Sequence, residues 1–338
     1  MLPDKKALLD LLKKIQDTPI LVIGDIMLDR YIFGSVERIS PEAPVPIVHV
    51  QKTENRLGGA GNVVRNLCNL RARVNLCGFI GDDQESAEIL KLLERHKIIH
   101  DGVLIDTEVA TTLKTRVIAQ KQQVVRIDRE DILENGDLRR KELQNKFLAY
   151  LQSVLEDNRA VIFSDYGKGA ITKSLLELFE EFRKNKKIDL LNRPLVVDPH
   201  PSNYLLYQGM SVAKPNRKEA ELAAGVRITD RNSASRAAAV LLDKWNSQMI
   251  LISLGEDGLM IAQRGSEQDI FIDTVAQEVS DVSGAGDTVT AVFTACLAVG
   301  ATSVQAGNLA NIAAGVVVSE VGTAPIDIEK LISAVENY

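Results

Sequence analysis

Short apolar segments alternate with longer segments of helical periodicity along most of this chain of 338 residues. The apolar segments are predicted strands, at residues 20–24, 74–79, 160–164, 195–198, 211–213 and 249–253. The predicted helices are residues 4–16, 59–70, 84–96, 137–155, 172–183, 233–245, 286–298, 302–318 and 327–336. This alternation predicts an α/β fold in which helices cover both faces of a mainly parallel sheet.

Two segments, residues 31–52 and 111–128, break the alternation and fit no helical period. Both contain extended pieces around a turn, which favours hairpins. Together they predict a small β-sheet, a lid, that emerges from the main domain. Lys114 and Arg116 alternate along the second segment, so they share one face of a strand. Facing inward they could bind a substrate phosphate; facing outward they would form a solvated edge.

Polar residues follow several of the predicted strands, and ligands of parallel sheets bind beyond the carboxyl ends of strands. Asp25, Asp165 and Asp198 lie at such ends. Asp25 and Asp29 are four residues apart, and a carboxylate accepts hydrogen bonds from two sugar hydroxyls well. The alternative is that these acids cap helices, and it carries more weight for Asp29.

A glycine-rich motif, DVSGAGD at residues 281–287, leads into the predicted helix 286–298. The amides of Gly284, Ala285, Gly286 and Asp287 would lie at a helix N-terminus, which holds anions well. The carboxylate of Asp287 in the same turn could act as a general base. This combination suits the transfer of a phosphoryl group to a hydroxyl. The alternative is an ordinary glycine-rich turn in which Asp287 is a first-turn charge.

A second glycine-rich motif, GGAGN, occupies residues 58–62 and runs into another predicted helix. Gly58 and Gly59 would let a strand end turn sharply near a ligand. Asn62 can offer a donor and an acceptor to sugar hydroxyls. A dinucleotide site is disfavoured because the third glycine of GxGxxG is missing, and the chain contains no GxxxxGK[ST] phosphate loop.

The two motifs, in this order and at this spacing, resemble the two signatures of the ribokinase family of carbohydrate kinases, also called the PfkB family. KPNRKE at 214–219 resembles the NxxE element of the family, and SLGEDG at 253–258 its nucleotide-side strand and turn. The similarity covers about residues 18–336. It implies a ribokinase-like fold, one kinase domain over residues 1–338, and the use of ATP and Mg²⁺.

The segments GDIMLDRY at 24–31 and RISPEAPVP at 38–46 resemble a narrower branch of the family. Its members phosphorylate D-glycero-β-D-manno-heptose 7-phosphate at O1, on the way to ADP-heptose for lipopolysaccharide. Some members carry a second domain with an HxGH element, which is missing here. The chain is therefore expected to be either a one-activity enzyme or the kinase half of a larger one.

The resemblance also implies roles for residues on the nucleotide side. Asn216 and Glu219 would lie near the nucleotide phosphates and bind Mg²⁺ through water. Asp281 and the backbone at Ser283 could help to hold a monovalent cation such as K⁺. The remaining expected contacts to ATP are Ser253, Gly255, Gly258 and, on the adenine side, Asn311. The alternative for Asn311 is an amide on a helix surface.

Composition restricts the partners. The net charge of −6 and the pI near 5.4 argue against nucleic acid or an anionic membrane. The three cysteines and four histidines lack metal-ligand spacing. No apolar run reaches transmembrane length, and residues 1–6 lack the apolar core of a signal peptide, so a cytoplasmic protein is expected.

The sequence therefore predicts an ATP-dependent sugar kinase with Asp287 as its base and a homodimer formed through the lid. Three alternatives remain: a relative with another sugar acceptor, a non-catalytic sugar or nucleotide sensor, and a dinucleotide oxidoreductase. The intact Asp287 disfavours the sensor, because a sensor needs no base. The incomplete GxGxxG disfavours the oxidoreductase.

Overall fold

The computed structural model describes residues 4–120, 122–131, 140–186, 193–275, 284–319 and 325–338. The helices are α1 (Lys5–Ile15), α2 (Ala60–Asn69), α3 (Gln84–Arg95), α4 (Arg140–Val154), α5 (Lys173–Lys186), α6 (Arg217–Ala224), α7 (Arg231–Lys244), α8 (Ala285–Ala298), α9 (Ser303–Val318) and α10 (Ile328–Asn337). The strands are β1 (Pro19–Gly24), β2 (Ile26–Ile39), β3 (Pro46–Gly59), β4 (Arg73–Ile80), β5 (Ile99–Ile105), β6 (Thr112–Ala119), β7 (Gln122–Arg129), β8 (Ala160–Ser164), β9 (Leu195–Asp198), β10 (Val212–Ala213), β11 (Met249–Ser253), β12 (Leu259–Gln263) and β13 (Ile270–Ile272).

Nine of the described strands form one sheet in the order β13-β12-β11-β10-β9-β8-β1-β4-β5. The strands from β11 to β5 pair in parallel, whereas β12 and β13 add antiparallel pairings at one edge. The predicted mainly parallel α/β sheet is confirmed. Four elements were not predicted from the sequence: the strands β5, β12 and β13 and the short helix α6. In β5 the apolar pattern is interrupted by His100 and Asp101, so no continuous apolar run marks it.

Helices cover both faces of this sheet, as predicted. Successive side chains of a strand point to opposite faces, and β1 shows the result clearly. Its Ile20 and Val22 pack in one hydrophobic cluster with residues of α1, α2 and α8, while Leu21 and Ile23 pack in a second cluster with residues of α4, α5 and α7. Both clusters are almost fully buried. Burial on two faces explains why the central strands are apolar throughout.

A second sheet of four strands, in the order β3-β2-β6-β7, forms the lid. The hairpin predicted over 111–128 is confirmed as β6 and β7. The hairpin predicted over 31–52 is longer than expected, because β2 and β3 pair from Ile26–Gly59 to Ile39–Pro46. Asp29 therefore lies inside a lid strand, and the helix-capping alternative for it is wrong.

The two sheets and the two motif helices meet at one place. β3 ends in Gly58 and Gly59 and leads directly into α2, and α2 packs against α8, which follows the second glycine motif. The carboxyl ends of β1, β8 and β9 face the same region. Within the described residues, no helix is long and apolar enough to cross a membrane.

Candidate active site

Asp287 is held between the two glycine-rich motifs. It lies in the first turn of α8, and only 7% of its surface is exposed. Asn62 Nδ2 donates to Asp287 Oδ2 at 2.7 Å, and the Tyr166 hydroxyl donates to Oδ1 at 2.7 Å. Burial raises the pKa of the Asp287 carboxyl to about 6, and the charge of Asp198 adds to this rise, although both hydrogen bonds oppose it. A carboxylate with such a pKa is ionised at neutral pH and basic enough to accept a proton.

The glycine-rich turn before Asp287 lies beside the buried ammonium group of Lys214. Gly284 is the N-cap of α8 with a φ of 84°, a left-handed conformation that favours glycine. Among the described residues, a Cβ at Gly286 would come within 4 Å of Lys214 Nζ alone, at 3.5 Å. Lys214 Nζ forms an ion pair with Asp198 Oδ1 at 3.0 Å. Helix amides and an ammonium group thus converge beside the candidate base, where an anion would be stabilised.

The GGAGN motif forms the other side of the candidate active site. A Cβ at Gly58 would lie 2.5 Å from Asp29 Oδ2, and one at Gly59 would overlap the carbonyl oxygen of Asp25. The glycines therefore let the end of β3 approach the Asp29 carboxylate and the Asp25 backbone. Asn62 Oδ1 is buried without a hydrogen-bond partner among the described residues, while its amide nitrogen is used by Asp287. A buried acceptor without a partner is uncommon in proteins, so this atom is available to a ligand hydroxyl.

Asp25 orders the loop that carries Tyr166. Its carboxylate accepts hydrogen bonds from the backbone amides of Tyr166 at 2.7 Å, Lys168 at 3.0 Å and Ala170 at 2.9 Å. Burial raises the pKa of Asp25, and the neighbouring charge of Asp165 raises it further. The structure thus places Asp25 at the predicted site, but with both oxygens already engaged by backbone.

Asp165 is engaged in the same way. It accepts the Gly167 amide at 2.8 Å, the Asn203 side chain at 2.7 Å and the Tyr207 hydroxyl at 2.5 Å. These contacts hold the end of β8 and the start of the following loop. Its position next to Tyr166 makes it a support of the site rather than an exposed acid.

The charged residues of the lid face inward. Arg116 Nη1 binds Asp29 Oδ1 at 2.6 Å, and both side chains are largely buried. Lys114 Nζ lies 5.5 Å from the centre of the Tyr166 ring. Tyr31 lies between Arg56, at 4.6 Å, and Arg116, at 5.3 Å from its ring. The solvated-edge alternative for Lys114 and Arg116 is therefore wrong.

The predicted nucleotide residues lie around α6 and β11. Asn216 caps α6 and shares a capping box with Glu219. Ser253 pairs with Asn216 through an isolated parallel bridge. Asn311 is buried and donates to the carbonyl oxygen of Asp273 at 2.9 Å, so it is not a surface amide. Gly255 begins the short 3-10 helix Gly255–Asp257 that follows β11.

A cavity of about 410 Å³ adjoins these elements. Gly258 ends the 3-10 helix with a φ of 82°, and a Cβ there would overlap the Ile272 carbonyl. The cavity is lined by Arg217, Ile228, Thr229, Asp230, Arg231, Leu254, Glu256, Asp257, Phe271, Asp273 and Thr274. Its volume lies in the range of small-molecule sites.

Two acids suited to Mg²⁺, Asp198 and Glu219, lie close enough to Lys214 to interact with its charge. Burial raises the pKa of Glu219, and the charge of Asp198 raises it further, so both acids would gain from a nearby cation. Among the residues that the structure describes, no group of three or more His, Cys, Asp or Glu could hold a metal alone. These residues fit a Mg²⁺ that takes its other ligands from nucleotide phosphates and water. Asp281 and Ser283, predicted for a monovalent cation, lie outside the described residues.

Residues 17–330 match the family described as pfkB family carbohydrate kinase. The chain belongs to this family. Two curated relatives, each named Bifunctional protein HldE, come from Desulfatibacillum aliphaticivorans and Geobacter sulfurreducens. They are 44% and 41% identical over 91% and 93% of this chain. The chain spans only 61% and 62% of their lengths.

Solved structures of other pfkB-type kinases share the fold. Arabidopsis thaliana ribokinase, complexed with ribose and ATP, superposes with a TM-score of 0.72 at 17% identity, over 95% of this chain and 99% of that one. Escherichia coli phosphofructokinase-2, in complex with substrates and products, gives a TM-score of 0.76 at 17% identity over the same shares. The ribokinase-like fold is thus confirmed, and the enzyme class is carbohydrate kinase.

Two residues of this pfkB site, Tyr166 and Lys214, were not assigned a role from the sequence. Tyr166 comes two residues after the predicted strand 160–164, and that position was its only local signal. Lys214 begins the NxxE-like segment but lies outside its pattern. Tyr166 contacts Asp287, and Lys214 contacts Asp198, across distant parts of the chain, so the sequence motifs alone could not reveal them.

Proposed function

We propose that this domain transfers the γ-phosphoryl group of ATP to O1 of D-glycero-β-D-manno-heptose 7-phosphate, giving heptose 1,7-bisphosphate for ADP-heptose synthesis. The observation that carries the phosphoryl-transfer part is the position of Asp287 beside the open turn Gly284–Gly286 and Lys214. Support for the acceptor comes from the segments at 24–31 and 38–46 and from the relatives named above.

The chemistry follows from this arrangement. Asp287 takes the proton of the acceptor hydroxyl as its oxygen attacks the γ-phosphorus, and the bond to the β–γ bridging oxygen breaks to release ADP. The amides of Gly284, Ala285 and Gly286 and the ammonium of Lys214 stabilise the charge on the transferring group. Asn216 and Glu219 would hold Mg²⁺ through water, and the ion would supply positive charge to neutralise the nucleotide phosphates.

The sugar side has the polar groups that such an acceptor needs. The unpartnered Asn62 Oδ1 accepts a sugar hydroxyl, and Asp29 lies beside Gly58 at the same end of the cleft. Lys114 and Arg116 face inward from the lid and supply positive charge for a phosphorylated sugar. Asp25 and Asp165 act on the sugar through the loop that they order.

We further propose that the protein works in the cytoplasm as a homodimer formed through the lid. The support is apolar surface on β7, where Val124, Val125 and Ile127 are 40–57% exposed. Exposed apolar residues on an edge strand favour pairing with another chain. A second copy would cover this surface and help to close the sugar site.

The deciding experiment measures turnover with ATP and purified heptose 7-phosphate, unphosphorylated heptose, fructose 6-phosphate and ribose. A charge-assisted contact to the distal phosphate contributes ~1.5–3 kcal/mol. The phosphorylated heptose should therefore exceed the unphosphorylated sugar by roughly ten- to a hundredfold in kcat/KM. Equal kcat/KM for both heptoses, or a higher kcat/KM for fructose 6-phosphate, would show that the domain phosphorylates another sugar.

A further inference from the structure

A second cavity of about 410 Å³ lies outside the nucleotide side, between the edge of β3 and the helices α2 and α3. Its charged lining consists of three arginines, a histidine and two glutamates: Arg56, Arg65, Arg95, His96, Glu54 and Glu88. None of these residues is among the site residues predicted from the sequence.

Arg65 is the central residue of this cavity. Its Nη1 is shielded from solvent and has no hydrogen-bond partner among the described residues. A buried guanidinium nitrogen without an acceptor is costly, because the group has lost water and gained nothing in return. Burial, followed by the charge of Arg56, lowers the pKa of Arg65 to about 10, so the side chain remains charged at neutral pH.

The other charges leave the cavity positive. Glu54 is already bound by Lys52 and by Arg56, whose Nη2 lies 2.8 Å from it. Neither Arg65 nor Arg95 forms an ion pair within the described ranges, although Glu88 lines the same cavity. Burial lowers the pKa of His96, and the charges of Arg65 and Arg95 lower it further. Among the described residues, Arg65 and Arg95 have no ion-pair partner and outnumber Glu88, and this excess of positive charge defines a site for an anion.

We infer that the cavity between β3, α2 and α3, with Arg65, Arg95 and Arg56 as its cations, binds the phosphate group of a small phosphorylated molecule. Guanidinium groups match the oxygens of phosphate in a bidentate geometry, and a dianion is needed to balance more than one of them. The volume accommodates a sugar phosphate or a similar metabolite.

Two sources of such a phosphate fit the location. Arg65 lies one helical turn beyond Asn62, which contacts Asp287, so the cavity adjoins the far end of the acceptor cleft. The phosphate could belong to the acceptor itself, a source that rests on the proposed function. It could also belong to a separate phosphorylated metabolite that regulates the enzyme. This second source does not rest on the proposed function.

His96 provides a local reporter of binding. Its imidazole resonances are followed by NMR as pH varies, with and without inorganic phosphate, and are assigned with His96→Gln; chloride keeps the ionic strength constant. Bound phosphate should raise the pKa of His96, because it offsets the charges of Arg65 and Arg95. The resonances of His49 and His100 should not respond in the same way.

Matched variants then test the site. Arg65→Met keeps the length of the stem and should abolish the phosphate response, and Arg95→Met, which changes an exposed side chain, should weaken it without affecting folding. Glu88→Gln should strengthen it. An unchanged pKa of His96 in the presence of phosphate, or an equal response in wild type and Arg65→Met, would overturn the inference.

Kinetics distinguish the two sources. If Arg65→Met raises the KM of the phosphorylated acceptor at least tenfold, with kcat and the KM of ATP unchanged, the acceptor supplies the phosphate. If the NMR response is lost while the KM of that acceptor is unchanged, a separate metabolite supplies it. The NMR measurement uses no sugar, so failure of the proposed acceptor leaves its result intact.

Discussion

Asn62 donates its side-chain amide to Asp287 over 2.7 Å, across 225 residues of sequence. This hydrogen bond joins the two glycine-rich motifs into one site. It also orients the carboxylate that Tyr166 contacts from the other side. Because both contacts bind the ionised form, they keep the pKa of this buried acid from rising further.

Replacing Asp287 by Asn should remove the base and preserve the shape of the site. General-base catalysis contributes ~100- to 10,000-fold, so we expect turnover to fall at least a hundredfold, with the KM of ATP nearly unchanged. Steady-state kinetics measure both quantities. Asp243→Asn, at an exposed position on α7, is the control and should behave as wild type. Near-normal turnover of the Asp287 variant would disprove the assignment.

Replacing Tyr166 by Phe should shift the pH dependence of the reaction. The base must be ionised, so activity falls as pH drops through the Asp287 pKa of about 6. The Tyr166 hydroxyl lowers that pKa by binding the carboxylate. Its removal should raise the pKa and move the acid limb of kcat/KM to higher pH. Tyr338→Phe, which removes a remote hydroxyl bound to Asn308, should leave the profile unchanged. An unshifted acid limb in Tyr166→Phe would show that the hydroxyl does not tune the base.

Alanine at two glycines of the turn should separate catalysis from stability. Gly284 has a left-handed φ of 84°, so Gly284→Ala should cost about 1–2 kcal/mol of stability as well as activity. Gly286 has no such constraint, and within the part of the chain that the structure describes its Cβ would approach only Lys214. Gly286→Ala should lower turnover without lowering Tm, because the methyl group enters the space of the transferring phosphoryl. Calorimetry and kinetics on both variants test this; full activity of Gly286→Ala would contradict it.

Charges on the lid should weaken the proposed dimer and sugar binding together. Val124 is 40% exposed, and Ile118 is half-buried on the neighbouring strand. Val124→Asp and Ile118→Asp should lower the dimer fraction in sedimentation and raise the sugar KM, leaving the KM of ATP unaffected. Leu205→Asp, at another exposed apolar position, should change neither. A fully active wild-type monomer at micromolar concentration would show that the lid closes its own site alone.

Much of the fold could be predicted from local patterns. Strands buried on both faces, such as β1 and β8, are continuous apolar runs, and the glycine motifs mark where helices begin at the site. Local sequence patterns did not predict the full length of strands whose pairing with other strands determines their structure. The hairpin of β2 and β3 contains Asp29 and Arg30. Their side chains bind Arg116 on β6 and Asn55 on β3, partners that lie across strands rather than along the chain.

The sequence by itself determined most of the order of elements and predicted the glycine-rich turn and the candidate base Asp287, because each depends on residues close together in the chain. Only the tertiary structure decided which side chains meet. Tyr166 reaches Asp287 from 121 residues away, and Arg116 reaches Asp29 from 87 residues away. Contacts at such separations depend on how sheet and lid pack, so they leave no local signature. The cavity around Arg65 could not be predicted from the sequence for the same reason. Its cations lie on one strand and two helices that only folding brings together.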